Sequence, residues 1–314
     1  MTTYIVTGGA GFIGSHIAAR LLQDGHRVRV IDNLYSGRQA NLDYLASLNG
    51  DFAFHHVSVT DYDAILPVFA GADFVFHQAA LVSVPQSIAE PDKTHDICVT
   101  GTLNVLRAAH KHDIQRVVYA GSSAAYGNTA IETISEAVIP APISPYGAAK
   151  LAAEYYCRAF THSYGLETVV LRYFNVFGER QDPNSAYAAV IPKFIVRMLR
   201  GERPTIFGDG QQTRDFIYIQ NVVHGNLLAM SVPNVAGQVF NMATGDKINL
   251  LELMDMLNEA MNTNMQPIHA EARAGDILHS RADIGEARNQ LGYTPIVSLM
   301  DGIKQTIEGY RAGL

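Results

Sequence analysis

The chain has 314 residues, 48% hydrophobic and 17% charged, which excludes a disordered segment and allows one large domain or two unequal ones. A net charge of −7 argues against nucleic-acid and anionic-membrane partners, so an anionic ligand must meet a few local cations and backbone N–H groups. No apolar run is long enough to span a membrane, no signal-peptide pattern opens the chain, and Cys98 and Cys157 lie outside any C-x-x-C. No metal site or disulfide framework is expected, and a reducing cytoplasm fits.

Tyr4–Thr7 reads as a strand, followed by the turn Thr7-Gly8-Gly9-Ala10-Gly11-Phe12-Ile13-Gly14 and a helix over Phe12–Asp24. Both Gly9-x-Gly11-x-x-Gly14 and Gly8-x-x-Gly11-x-x-Gly14 can be read there. Glycines between a strand and a helix permit a tight turn and let a pyrophosphate approach the backbone, while the helix N-terminus offers free N–H groups. Asp32 follows the next strand, Val28–Ile31. A carboxylate at that position accepts from the adenosine ribose hydroxyls and repels a 2′-phosphate, which favours NAD over NADP. Arg38 nearby reads as a surface arginine.

Further strands are expected at Phe52–His56, Phe74–His77, Arg116–Ala120 and Thr168–Arg172. Helices are expected at Gly101–His112 and from Ser144, which can cap a helix with Pro145 in its first turn. Strands alternating with helices imply βαβ units and a parallel sheet, an α/β fold of Rossmann type. Past residue 175 the rhythm loosens into loops at Gly178–Tyr187 and Gly208–Thr213. Helices are expected at Ile191–Arg200 and Leu250–Asn262, and a return strand at Gln238–Met242. The cofactor domain is therefore placed at 1–174 and a smaller substrate lobe at 175–314.

Tyr146 and Lys150 stand four residues apart and share one face of a helix. A phenol with a pKa of about 10 is a poor base, and a neighbouring cation favours the phenolate. Lys150 together with a nicotinamide cation is thus expected to lower Tyr146, making it able to accept a proton from an alcohol as hydride leaves its carbon. Either Ser122 or Ser123, at the end of a strand, can supply a hydroxyl that bridges substrate and Tyr146.

Taken together, these motifs resemble the extended short-chain dehydrogenase/reductases, and among them the UDP-sugar 4-epimerases, over nearly the whole chain. The resemblance rests on Thr7–Gly14, Asp32-Asn33-Leu34-Tyr35-Ser36-Gly37, His77-Gln78-Ala79-Ala80, Ser122–Gly127, Ser144-Pro145-Tyr146-Gly147-x-x-Lys150 and Arg172-Tyr173-Phe174-Asn175-Val176-Phe177-Gly178. The run Arg180-Gln181-Asp182-Pro183-Asn184 through Ala188-Ala189-Val190-Ile191-Pro192 looks closest to bacterial UDP-N-acetylglucosamine 4-epimerases. By resemblance, Tyr146 is base and acid, Lys150 holds the nicotinamide ribose, and Ser122, with Ser123 as the alternative, bonds the reacting oxygen. The C4 hydride passes to bound NAD and returns to the opposite face of a 4-keto sugar.

The resemblance also implies NAD contacts at Gly8, Gly11, Phe12, Ile13, Gly14, Asp32, Asn33, Ser36, Gly37, Ser58, Val59, Gln78, Ala79, Ala80 and Tyr173. Asn175, Arg214 and Arg273 would meet the substrate diphosphate, Asp276 the uridine ribose, and Ala189, Val190, Phe194 and Thr205 the uridine pocket. Val82 and Ser83 would border the sugar. Ser280 falls at a size gate, where a small residue leaves room for a 2-acetamido group. The family commonly forms homodimers through two helices, here Gly101–His112 and Tyr146–Ser163.

Some positions depart from the family pattern. Cys98 replaces an asparagine, Ser58-Val59 an acidic pair at adenine, Val82 a lysine and Gly121 a serine. The expected activity is interconversion of UDP-GlcNAc and UDP-GalNAc, with UDP-glucose and UDP-galactose as a second pair. UDP-glucose-only and UDP-glucuronate 4-epimerases remain alternatives. A 4,6-dehydratase would want an Asp-Glu pair where Ser123-Ala124 stands. A non-catalytic redox sensor would not need the set Ser122, Tyr146 and Lys150.

Overall fold

In the computed structural model, which describes residues 1–183, 190–272 and 280–313, seven parallel strands form the central sheet. They are β1 (Thr3–Thr7), β2 (Arg27–Asp32), β3 (Phe52–His56), β4 (Phe74–His77), β5 (Arg116–Ser122), β6 (Glu167–Tyr173) and β7 (Val239–Met242). Their order is β3-β2-β1-β4-β5-β6-β7. A parallel strand is covered on both faces and so reads as a near-continuous apolar run, such as Val117-Val118-Tyr119.

Successive side chains leave the sheet on opposite faces. Val6, Val118 and Val169 pack with Ile17 and Leu21 of α1 (Phe12–Gln23) and with Leu42 and Leu45 of α2 (Gln39–Ser47). Ile5, Val117 and Val170 pack with Val105 and Leu106 of α3 (Gly101–Lys111) and with Ala153 and Cys157 of α4 (Pro145–Tyr164). Each such side chain contributes roughly 1.5–3 kcal/mol. A one-residue slip of any strand would exchange the two sets, so this alternation fixes register.

α4 begins as expected. Ser144 Oγ accepts from Gly147 N at 3.1 Å, Pro145 opens the helix, and left-handed Gly165 follows its end. Its flank is pinned to β6 by Arg172, whose Nε and Nη2 meet the buried Glu154 carboxylate at 2.9 and 2.6 Å. Tyr146 and Lys150 therefore ride on a helix held at its start and its middle.

The strands expected at Phe52–His56 and Phe74–His77 are observed with those bounds, and the others differ by one or two residues at their ends. The return strand is observed as β7, paired with β6. The sequence places no element at Ile219–Ser231, yet a helix forms there. Its polar residues hid it: Asn221 is buried and satisfied by Ile296 N, Val297 N and Val297 O, partners far along the chain. The largest apolar cluster also crosses residue 174, joining Val6 and Ile17 to Phe194, Ile217 and Ile303.

β1 lies between β2 and β4, and the chain crosses in opposite directions on its two sides. The carboxyl ends of β1 and β4 thus flank the switch point where open α/β sheets bind ligands.

Candidate active site

Gly8 follows β1 with φ +66, and a Cβ there would come within 2.7 Å of Ala79 N in the turn after β4. A Cβ on Gly14 would lie 2.2 Å from Gly8 O, so α1 starts against the turn itself. Gly11 faces more open space, with only Gly8 O near, at 3.1 Å. The spacing Gly8-x-x-Gly11-x-x-Gly14 is therefore the one the turn requires, while Gly9 answers to packing on Val30. No side chain caps α1, so its first N–H groups are free for an anion.

Asp32 is buried, and its Oδ2 accepts from Ala10 N at 3.0 Å while Oδ1 accepts from Leu34 N at 2.8 Å. Burial raises its pKa and these two bonds oppose the rise. Gly37 packs on this carboxylate, where a Cβ would lie 2.7 Å from Oδ1. Asn41 Nδ2 donates to Ala10 O at 2.7 Å, so the turn is gripped from both sides.

A cavity of about 1060 Å³ begins at this turn. Gly8, Gly11, Phe12, Ile13, Gly14, Asp32, Asn33, Ser36, Ser58, Val59, Gln78, Ala79 and Ala80 line it. It continues past Tyr146, Lys150 and Tyr173 to Asn175, Val190, Phe194, Thr205 and Arg214. Arg38, expected at the surface, lines it as well, as do Arg180, Lys193 and Arg197. Val82 and Ser83 line its rim, Val82 being 71% exposed; the Ser83 hydroxyl is engaged in capping the helix Val84–Ala89. Ser58 Oγ pairs with Thr60 Oγ1 at 2.8 Å.

Ser122, Ser123 and Ser280 are not in the lining among the described residues. Ser122 adjoins Gly121, which is; its Oγ accepts from Ala124 N at 3.2 Å, and its hydroxyl is near enough to Tyr146 to favour the phenolate. Ser280 N donates to Thr213 O at 3.2 Å, beside Arg214. Ala189, Arg273 and Asp276 lie outside the described residues.

Tyr146 and Lys150 are both buried. Tyr146 N donates to the buried Ser87 Oγ at 3.1 Å, and Lys150 Nζ donates to Ala120 O at 2.9 Å. Burial pushes the phenol up to about 12; the Ser122 hydroxyl opposes this and Cys98 adds to it. Burial also lowers Lys150. In the protein alone Tyr146 is thus a neutral phenol, and Lys150 is not among the groups that shift it; the expected lowering needs the nicotinamide cation as well. Cys98 lies in a widened π-type turn, Asp96–Thr100, that precedes α3. Such turns concentrate at functional sites.

Behind the pair runs a chain of buried hydrogen bonds. Thr7 Oγ1 and His77 Nδ1 are 2.6 Å apart, His77 Nε2 and Thr102 Oγ1 2.9 Å, and Thr102 Oγ1 donates to Cys98 O at 2.6 Å. Thr7 Oγ1 accepts in turn from Ala79 N at 3.3 Å. This polarity makes Nε2 a donor, and burial and Lys150, which lower His77 to about 3, leave the ring neutral with Nδ1 accepting from Thr7.

The side chains expected to meet the substrate diphosphate stand on short strands. Asn175 Nδ2 donates to Asp215 O at 2.9 Å from the strand Asn175–Phe177, and Arg214 Nη1 to Thr213 O at 2.9 Å from Thr213–Arg214. Sequence reasoning gave no role to Asp215. Its buried carboxylate accepts from Thr244 N and Oγ1 at 2.9 and 2.7 Å and from Gly245 N at 3.0 Å, anchoring this corner. Its place between Arg214 and Phe216 was the available signal.

A doubly wound sheet, a glycine turn at the switch point and a Tyr-x-x-x-Lys pair at the same cavity define a dinucleotide-dependent enzyme of the short-chain dehydrogenase/reductase class. Residues 4–243 match the NAD dependent epimerase/dehydratase family, and the chain belongs to it. A UDP-glucose 4-epimerase of Mycolicibacterium smegmatis is 36% identical over 310 residues, 98% of both chains. The structure of UDP-glucose 4-epimerase from Thermotoga maritima with UDP-glucose matches with a TM-score of 0.93 at 39% identity, covering 99% of each chain. That of UDP-N-acetylglucosamine 4-epimerase from Methanobrevibacter ruminantium with UDP-N-acetylmuramic acid has a TM-score of 0.94 at 37% identity, covering 100% of this chain and 99% of that one. NAD is the cofactor, and the open face at Gly11, the uncapped α1 and the Asp32 carboxylate fit it.

Proposed function

We propose that the protein is a UDP-hexose 4-epimerase that interconverts UDP-GlcNAc and UDP-GalNAc, with UDP-glucose and UDP-galactose as a second pair. One observation carries the reading. A single cavity runs from the glycine turn past Tyr146 to Asn175 and Arg214, so two diphosphates can flank one proton-transfer group.

When bound, NAD supplies a hydride acceptor and a positive ring near Tyr146. Tyr146 as phenolate would take the proton from O4 as C4–O4 becomes a carbonyl. Once the keto sugar has turned over in the site, Tyr146 would give the proton back to O4, and the bound cofactor would end each turnover in its starting redox state. Ser122 orients O4 and Tyr146 together. Lys150, held by Ala120 O, keeps two N–H groups for the nicotinamide ribose. Arg214 offers a guanidinium fork for the substrate diphosphate, with Asn175 beside it.

The N-acetyl preference is supported by the small Ser280 and by Val82 in place of a lysine. The half-exposed Tyr155 and Tyr156 on α4 support a homodimer paired through α3 and α4. Purified protein should interconvert C4 epimers when given each UDP-sugar, with kcat/KM higher for UDP-GlcNAc than for UDP-glucose. Absence of C4 interconversion for every UDP-hexose sinks the reading. Ser280→Tyr should abolish turnover of the N-acetyl sugars and spare UDP-galactose; equal loss of both refutes the gate.

A further inference from the structure

Arg180 belongs to the segment after the strand Asn175–Phe177, yet its side chain reaches across to the cofactor half. Its Nε lies 3.1 Å from His16 Nε2, one turn into α1. The guanidinium lies over Tyr44 of α2, its Cζ 4.5 Å from the ring centroid. Glu179 and Tyr218, from its own half, also favour its charged form. His16 is held neutral by burial and by Arg180 itself, which lower it to about 3, and its Nε2 donates to Glu179 O at 2.9 Å, so it stands beside Arg180 as an uncharged ring.

The guanidinium's edges are unequally employed. Nε lies against His16, and among the described residues Nη1 is enclosed without a hydrogen-bond partner. The residue lines the cavity together with Gly11, Phe12 and Arg38. The backbone at Arg180 is left-handed, with φ +65, a conformation long side chains rarely adopt. An aromatic shelf, an uncharged imidazole and an unusual backbone therefore hold one cation at the first turn of α1.

We propose that Arg180 binds the diphosphate of NAD, so that the far half of the chain completes the anion site opened by Gly11 and the N-terminus of α1. The substrate diphosphate is the competing destination. It is disfavoured because Phe12, His16 and Tyr44 all flank the cofactor turn, whereas Asn175 and Arg214 stand on the short strands. A guanidinium adds to the helix N-terminus a fork whose N–H groups match phosphate oxygens. The inference rests on the NAD dependence of the family and not on the sugar reaction.

The test is calorimetric titration of NAD into cofactor-stripped protein, and of UDP into protein saturated with NAD. Arg180→Gln removes the charge. Arg180→Gly does so while also relieving the left-handed backbone, so at least one neutral variant keeps the fold. Both should raise the Kd for NAD about 10- to 100-fold, the worth of one charge-assisted hydrogen bond, and leave that for UDP within about twofold. Arg180→Lys, with the charge but no fork, should fall between. An NAD Kd within about twofold of the parent in the folded Arg180→Gly protein overturns the proposal. UDP binding weakened as much as NAD binding also overturns it and assigns Arg180 to the substrate.

Discussion

The two ends of the cavity are built differently. At the cofactor end the glycine turn is backbone at the end of a seven-stranded sheet, and side chains such as Asp32 and Asn41 hydrogen-bond to it. At the other end the side chains expected on the substrate diphosphate, Asn175 and Arg214, are carried on strands of three and two residues. Damage to the backbone of the first end should therefore appear chiefly as lost folding, and damage to the side chains of the second as lost affinity. Between them sits Tyr146, where damage should appear as lost rate alone.

That middle case carries the largest expected effect. Tyr146→Phe keeps the ring and removes the proton carrier, so kcat should fall by about 10³-fold or more, with NAD still bound and KM little changed. Near-normal turnover would place the base elsewhere. Because the phenol is pushed up to about 12 in the protein alone, kcat/KM of the parent should rise with pH on the alkaline side. A flat profile there would mean that proton removal does not limit the reaction.

Next comes the turn. A methyl on Gly14 would lie 2.2 Å from Gly8 O, a backbone atom that cannot swing aside. Gly14→Ala should cost roughly 3 kcal/mol of stability, read as a lower denaturation midpoint. Gly11→Ala, with one neighbour at 3.1 Å, should cost far less stability and yet weaken NAD. Equal destabilisation by both would erase the distinction between a glycine the fold needs and one the ligand needs.

At the other end, Arg214→Gln should raise KM for a UDP-sugar about 10- to 100-fold and leave the melting curve and NAD content unchanged. A fall in kcat with KM constant would instead tie Arg214 to the transition state.

This contrast also explains what could be read from the sequence. The sheet was legible because strands buried on both faces are written as apolar runs, and the glycine turn because its backbone admits little else. Tyr146 and Lys150 were legible as a pair by helical spacing, but the sign of the pKa shift was not, since burial comes from the whole fold. Asp215 and Asn221 were opaque for the same reason: their partners at Thr244, Gly245, Ile296 and Val297 are distant in sequence. Arg38 is exposed, as its sequence suggested, but no local signal reveals that the cavity also reaches it.

The smallest effect tests the wiring behind the turn. His77 links Thr7 at the end of β1 to Thr102 at the start of α3, and burial with Lys150 lowers its pKa to about 3 against an ordinary value of 6.5. Above pH 6.5 the imidazole is neutral in both folded and unfolded chains and has no effect on pH dependence. Between about 6.5 and 3 the unfolded chain takes up a proton that the folded chain refuses, so stability falls as pH falls. The slope is at most about 1.4 kcal/mol per pH unit for one such group. His16 is lowered to about 3 as well, by burial and Arg180, and contributes a like slope. His55 and His224 are lowered too, mainly by burial, and share in the slope. His77→Gln should therefore reduce the acid-side slope in urea unfolding series measured between pH 5 and 7 by up to about 1.4 kcal/mol per pH unit. Stability at pH 7 will also drop by whatever the lost hydrogen bonds contribute, but that offset is constant with pH and does not enter the slope. An unchanged slope would mean that His77 is protonated in the folded protein, with Nδ1–H donating to Thr7 Oγ1 in place of accepting from it.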